Sequence, residues 1–112
     1  MQFSEYENEA LKLAMVSESV NGVPAYVYFA LGLIGEAGEI SEKIKKILRD
    51  KGGILTHTDM VEIVKEGGDV LWYLSALMRE MNSSLEGAGI ANIEKLTSRR
   101  ARGVLHGSGD NR

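Results

Sequence analysis

Two long runs of apolar residues repeat at helical spacing, and a single proline, Pro24, is all the chain has to interrupt them. From about Pro24 to Asp50, the residues Tyr26, Phe29, Ala30, Leu33, Ala37, Ile40, Ile44, Ile47 and Leu48 keep a 3.6-residue period. From about Thr58 to Met81, Ile63, Val64, Val70, Leu71, Leu74, Leu77, Met78 and Met81 do the same. The punctuation agrees. Lys45, Lys46, Arg49 and Lys51 precede Gly52-Gly53, where cations suit the dipole and glycine ends a helix. Thr56 with Asp59 reads as a capping box for the second run. A shorter helix is expected from about Ser4 to about Ser19, with Tyr6, Ala10, Leu13 and Ala14 on one side and Asn21-Gly22 as its stop. Another should follow a Ser83–Glu86 capping box and reach about Arg100. The remainder, Ala101 to Arg112, is rich in Gly, Ser and Arg and reads as a loop or tail. No strand alternation is visible, so the expectation is a single all-α domain over residues 1–112, a bundle of about four helices.

Composition narrows the chemistry. The chain has 112 residues, no cysteine, two histidines far apart (His57 and His106) and a net charge of -3. Disulfides, thiolate metal sites and cysteine nucleophiles are excluded, and so is a global basic footprint for nucleic acid. A di-iron helical bundle needs Glu-x-x-His motifs, and neither histidine has a Glu three residues before it. Any metal would be held by oxygen, which favours magnesium or manganese. No apolar run is long enough to span a membrane, and Glu5, Glu7 and Glu9 stand where a signal peptide needs positive charge, so a cytoplasmic location is expected.

Two acidic pairs stand out, Glu36 with Glu39 and Glu66 with Asp69. A spacing of three puts both members on one helix face, ~60° apart, with the apolar stripe centred ~75–80° beyond Glu36. If the two long helices pack antiparallel, four carboxylates can meet along one edge of the seam, where a divalent cation would offset their repulsion. Gly32, Gly35, Gly38, Gly67 and Gly68 lie among them, each costing up to ~1 kcal/mol against Ala inside a helix. They point to close helix approach or to room for a ligand.

Gly32-Leu-Ile-Gly-Glu-Ala-Gly-Glu39 followed by Lys65-Glu-Gly-Gly-Asp-Val-Leu-Trp-Tyr73 resembles the MazG-like nucleotide pyrophosphohydrolases, which carry E-E-x-x-E on one helix and E-x-x-D on the next. Asn92 and Lys95 resemble that family's Asn-x-x-Lys, and the likeness covers about residues 24 to 112. The first Glu of E-E-x-x-E is replaced by Gly35, leaving Glu36 and Glu39 as the matching residues. The resemblance implies a helical bundle completed by oligomerisation into a dimer or tetramer. It implies that Glu36, Glu39, Glu66 and Asp69 hold Mg2+ (Mn2+ as a substitute) as the catalytic and metal-binding set. Asn92 and Lys95 would contact a nucleoside triphosphate that is cleaved to a monophosphate and pyrophosphate, the noncanonical nucleotides removed in house-cleaning being among the family's substrates. Tyr73, four residues after Asp69, shares its face, and Arg99 and Arg102 add guanidinium groups suited to phosphate. The competing expectation is a noncatalytic helical interaction or regulatory module.

Overall fold

The computed structural model describes residues 1–13 and 18–112 of the chain. Its elements are α1 (Phe3–Ala10), a 3₁₀ turn (Leu11–Leu13), β1 (Ser19–Val20), β2 (Val23–Pro24), α2 (Ala25–Asp50), α3 (His57–Glu80) and α4 (Leu85–Ala101). The all-α architecture expected from the periodicity is present, with one small antiparallel pair of strands added to it.

That addition corrects the first expected helix. α1 ends at Ala10, and Ser19 belongs to β1 rather than to a helix; Ala14 lies outside the described residues. Asn21-Gly22 is the two-residue turn between β1 and β2, both residues at positive φ (50° and 79°). This is the backbone that type I′ hairpins demand and that Asn-Gly adopts most readily. Pro24, whose missing N–H cannot serve a helix ladder, stands just before α2.

α2 and α3 form an antiparallel hairpin that is the body of the fold. Lys51 to Thr56 join them, with Gly52 and Gly53 at positive φ and the Gly53 N–H returning to the Ile47 carbonyl. The Thr56 hydroxyl accepts from the Asp59 N–H, and an Asp59 carboxylate oxygen accepts from the Thr56 N–H at 2.9 Å, completing the expected box. At α4 the cap falls one residue later than expected. Ser84, not Ser83, accepts from the Gly87 N–H, and no glutamate closes a box.

The core is small: Ala25, Phe29 and Ala76 are fully enclosed, with Leu11, Trp72, Tyr73 and Leu77 packed against them. Trp72 packs against it half-buried, edge-on to Phe29 and donating from its indole N–H to the Ala10 carbonyl at 3.1 Å, which pins the end of α1 to the hairpin. Glu7 of α1 accepts from the Leu85 N–H at 2.6 Å and so caps α4. Much of the expected buried stripe stays outside. Leu48 of α2 is 70% exposed and Val64 of α3 is 74% exposed; Tyr26, Ile44 and Met81 are also on the surface. The helices carry a second apolar face besides the one they share. Val27, Ala30, Ile34, Ala37, Ser41, Ile44 and Leu48 follow a seven-residue repeat on α2, as do Met60, Val64, Gly67, Leu71, Leu74, Met78 and Met81 on α3.

Candidate metal centre

Because α2 and α3 run antiparallel, their mid-sections oppose each other. Glu36, Glu66 and Asp69 each offer a carboxylate oxygen, and these oxygens all lie within 4.8 Å of one another. Glu36 and Glu66 are half-buried and Asp69 is exposed, so the cluster sits at an open edge of the helix seam. Glu39 does not join this group: it lies one step further round α2, exposed to solvent. Its charge still reaches the site. Burial first, then the charges of Asp69, Glu66 and Glu39, raise the Glu36 carboxyl above its ordinary value of 4.5. A carboxylate made costly in this way is one that gains from a nearby cation.

One cation of the chain is close. Lys43 reaches across from α2 to Glu66 at 3.3 Å, rather than pairing with Glu39 on its own helix. Lys65 turns to Glu62 at 2.9 Å and leaves Glu66 alone. Glu42 is likewise tied to a neighbouring lysine, Lys45, at 2.7 Å. Three carboxylates against one ammonium leave the cluster negative. All-oxygen donors at this separation fit a hard divalent ion such as magnesium.

Aromatic hydroxyls frame the cluster. Tyr73 lies over Gly32, where a Cβ would overlap ring carbons Cδ1, Cε1 and Cζ, the last at 2.6 Å. The glycine is therefore a notch for the ring. Gly35, Gly38, Gly67 and Gly68 meet nothing within 4 Å and leave open space beside the acids. Burial, the neighbouring Tyr28 and then the charges of Glu36 and Asp69 push the Tyr73 hydroxyl up. Burial and the Asp69 charge do the same to Tyr6 of α1. Tyr6 and Tyr28 belong to this surrounding, although the sequence pattern set Tyr6 only on an apolar helix side and did not mark Tyr28. Tyr28 had a signal, standing four residues before Gly32 on the same helix face.

The expected phosphate contacts are on α4. Asn92 is exposed. Lys95 lies 3.5 Å from the Asp110 carboxylate, Arg99 donates to the Asp110 carbonyl at 2.6 Å, and Arg102 donates to the Arg112 carbonyl at 2.8 Å. The segment after α4 is thus folded back along that helix.

Fold and cluster together define an all-α protein whose antiparallel helix pair presents carboxylates suited to a hard cation. Residues 28–104 match the family described as the MazG nucleotide pyrophosphohydrolase domain, and the chain belongs to that family. It is also similar to the Gene 37 protein of Mycobacterium phage L5, 45% identical over 95 residues that span 85% of this chain and 81% of the relative. No solved structure matches. Among the described residues, no helix is long and apolar enough to cross a membrane.

Proposed function

We propose that the chain is a metal-dependent pyrophosphohydrolase that splits a ribo- or deoxyribonucleoside triphosphate into a monophosphate and pyrophosphate. The observation that carries this reading is the convergence of Glu36, Glu66 and Asp69 at the seam of a chain in this family. These three, with Glu39 beside them, would hold Mg2+, or Mn2+ in its place. The ion would neutralise phosphate oxygens and lower the pKa of the attacking water. The protein's own groups do the rest. Lys43 holds the Glu66 carboxylate in place, and the Tyr73 hydroxyl stands at the same face as a hydrogen-bond donor. Asn92, Lys95, Arg99 and Arg102 supply donors for phosphate, with charge-assisted bonds from the last three. We take the compartment to be the cytoplasm, where nucleoside triphosphates are kept.

A homo-oligomer is part of the proposal. The chain exposes 8134 Å², whereas a compact protein of its 12.2 kDa exposes about 6,100 Å². Its radius of gyration is 17.2 Å, against about 13 Å for a compact chain of this length. The surplus of roughly 2,000 Å² exceeds the ~800 Å² per partner of an ordinary stable interface. The seven-residue seams of α2 and α3, with Ile34, Leu48 and Val64, supply an apolar face for a second hairpin.

The test is a panel of canonical, deoxy and noncanonical triphosphates with magnesium or manganese, scored for pyrophosphate against orthophosphate. Pyrophosphate release that depends on metal and falls at least about a hundredfold in Glu36→Gln and in Asp69→Asn supports the reading. Full activity in both variants refutes it. Absence of hydrolysis and of stabilisation by nucleotide with metal would favour a helical interaction module. Light scattering on wild type and on an Ile34→Glu, Val64→Glu double variant tests the assembly: the wild type should be an oligomer and the variant should not.

A further inference from the structure

Among the described residues, Arg99 is the buried charged one, 5% exposed, and its surroundings are unusual for a structural ion pair. Its Nε is enclosed without a hydrogen-bond partner. One terminal nitrogen donates to the main-chain carbonyls of Asp110 at 2.6 Å and Gly109 at 3.4 Å, and meets the Asp110 carboxylate only at 3.5 Å. That carboxylate is 86% exposed and touches Lys95 at the same 3.5 Å. Charge-assisted bonds settle at about 2.7–2.9 Å, and a buried guanidinium normally has its donors satisfied. Lys95 and Arg99 thus both approach the Asp110 carboxylate at 3.5 Å, longer than an ordinary charge-assisted bond, while the tight contact of Arg99 is to the Asp110 main-chain carbonyl.

Asp110 is delivered by a clasp. Arg112 donates to the carbonyls of Val104, Leu105 and Gly109, at 3.2, 3.0 and 2.6 Å, and Arg102 holds the Arg112 carbonyl. Gly107 and Gly109, both at positive φ, allow the chain to double back and set Asp110 over α4. The Lys95 charge and then Arg99 hold the Asp110 carboxyl below its ordinary value of 3.8, so it is an anion at neutral pH.

We propose that residues 103–112 form a self-occupying strap, in which Asp110 stands in for a phosphate group at Lys95 and Arg99 and must leave before a polyphosphate can bind there. This regulation rests on the reading of Lys95 and Arg99 as phosphate contacts. A binding-competent state populated only in part weakens the apparent affinity by that fraction, and releasing the strap removes the handicap.

The experiment is calorimetric titration of the full-length protein with inorganic tripolyphosphate, which needs no catalysis. Asp110→Asn removes the competing charge and keeps the main-chain bonds. Arg112→Ala opens the clasp and keeps the charge. Each should bind tripolyphosphate about two- to fivefold more tightly than wild type, the range of an exposed charge pair, with the gain shrinking at high salt. Unchanged or weaker binding in both variants overturns the proposal. Because hydrolysis is assayed separately, tighter binding by the variants with no hydrolysis by the wild type would sink the proposed function alone, and unchanged binding by the variants with an active wild type would sink the strap alone.

Discussion

Replacing Gly32 by alanine separates two forces that usually act together. Inside an exposed helix the change stabilises by about 1 kcal/mol, because alanine loses less backbone entropy. At position 32 the added methyl enters the volume of the Tyr73 ring, overlapping three of its carbons. The half-buried ring is flanked on two sides: Trp72 stands edge-on at 5.1 Å, Tyr28 lies 6.3 Å away, and Trp72 is itself hydrogen-bonded to Ala10. Overpacking of this kind costs about 1–3 kcal/mol, so the net change is a loss of about 1 kcal/mol. With about 2.1 cal/mol/K of unfolding entropy per residue, that lowers Tm by about 4 °C. Gly89 lies in α4 with nothing within 4 Å of its would-be Cβ. Gly89→Ala should therefore raise Tm by about 4 °C, from the propensity gain alone. Thermal unfolding followed by circular dichroism, at one protein concentration for all three proteins, reads the difference directly. A Gly32→Ala variant that melts at or above the wild type, in step with Gly89→Ala, would show that the Tyr73 ring does not fill the notch.

Glu36→Gln should stabilise the metal-free protein at neutral pH, since it removes a carboxylate whose raised pKa marks it as costly when charged. The penalty develops as pH rises from the ordinary carboxylate value through the raised one, so the gap between the two proteins should close below about pH 4. Magnesium should reverse the order at neutral pH, and a Glu36→Gln variant less stable than metal-free wild type would contradict the account. Asp59 carries the opposite sign. Its carboxyl is held down to about 2 by the Lys51 ammonium first, then by the Thr56 hydroxyl and N–H, so its stabilisation is complete above 3.8 and is lost as pH falls to about 2. Asp59→Asn should lower Tm at neutral pH and converge with wild type near pH 2; parallel curves across that window would contradict this. Glu7→Ala removes the acceptor for the Leu85 N–H and should cost about 1 kcal/mol, with faster amide exchange in the first turn of α4.

The long hairpin was legible because its signals are redundant: two extended stripes, a Thr56–Asp59 box and a Gly52-Gly53 stop all agree. Periodicity could not say which apolar residues face the same chain. The angle between Phe29, which is buried, and Ile34, which is exposed, is visible on a helical wheel, but a wheel does not distinguish a partner helix within the chain from one outside it. The strands escaped because two residues each cannot display alternation, leaving Asn21-Gly22 as their one signal. At α4, tandem Ser83 and Ser84 offered two caps, and the pattern with Glu86 favoured the wrong one.

At the acidic cluster, the i, i+3 spacing placed Glu36 and Glu66 toward the seam. It could not separate the Glu36 position, which faces α3, from that of Glu39, ~60° further round. The glycines looked alike in sequence and differ in space, Gly32 being a contact and Gly35, Gly38, Gly67 and Gly68 being gaps. The fold-back of residues 103–112 on Arg99 depends on contacts between side chain and main chain that no periodicity encodes.

Seating a ring in a one-residue notch fixes how far α3 can slide along α2. With Lys51 tied to Asp59 near the other end, the hairpin is keyed at two points. A slip by one helical turn would move one helix ~5.4 Å, more than the 4.8 Å that spans the cluster's oxygens. The gauge of the carboxylate cluster is therefore set by a phenol ring against bare backbone, and a misregistered hairpin would pull those acids apart.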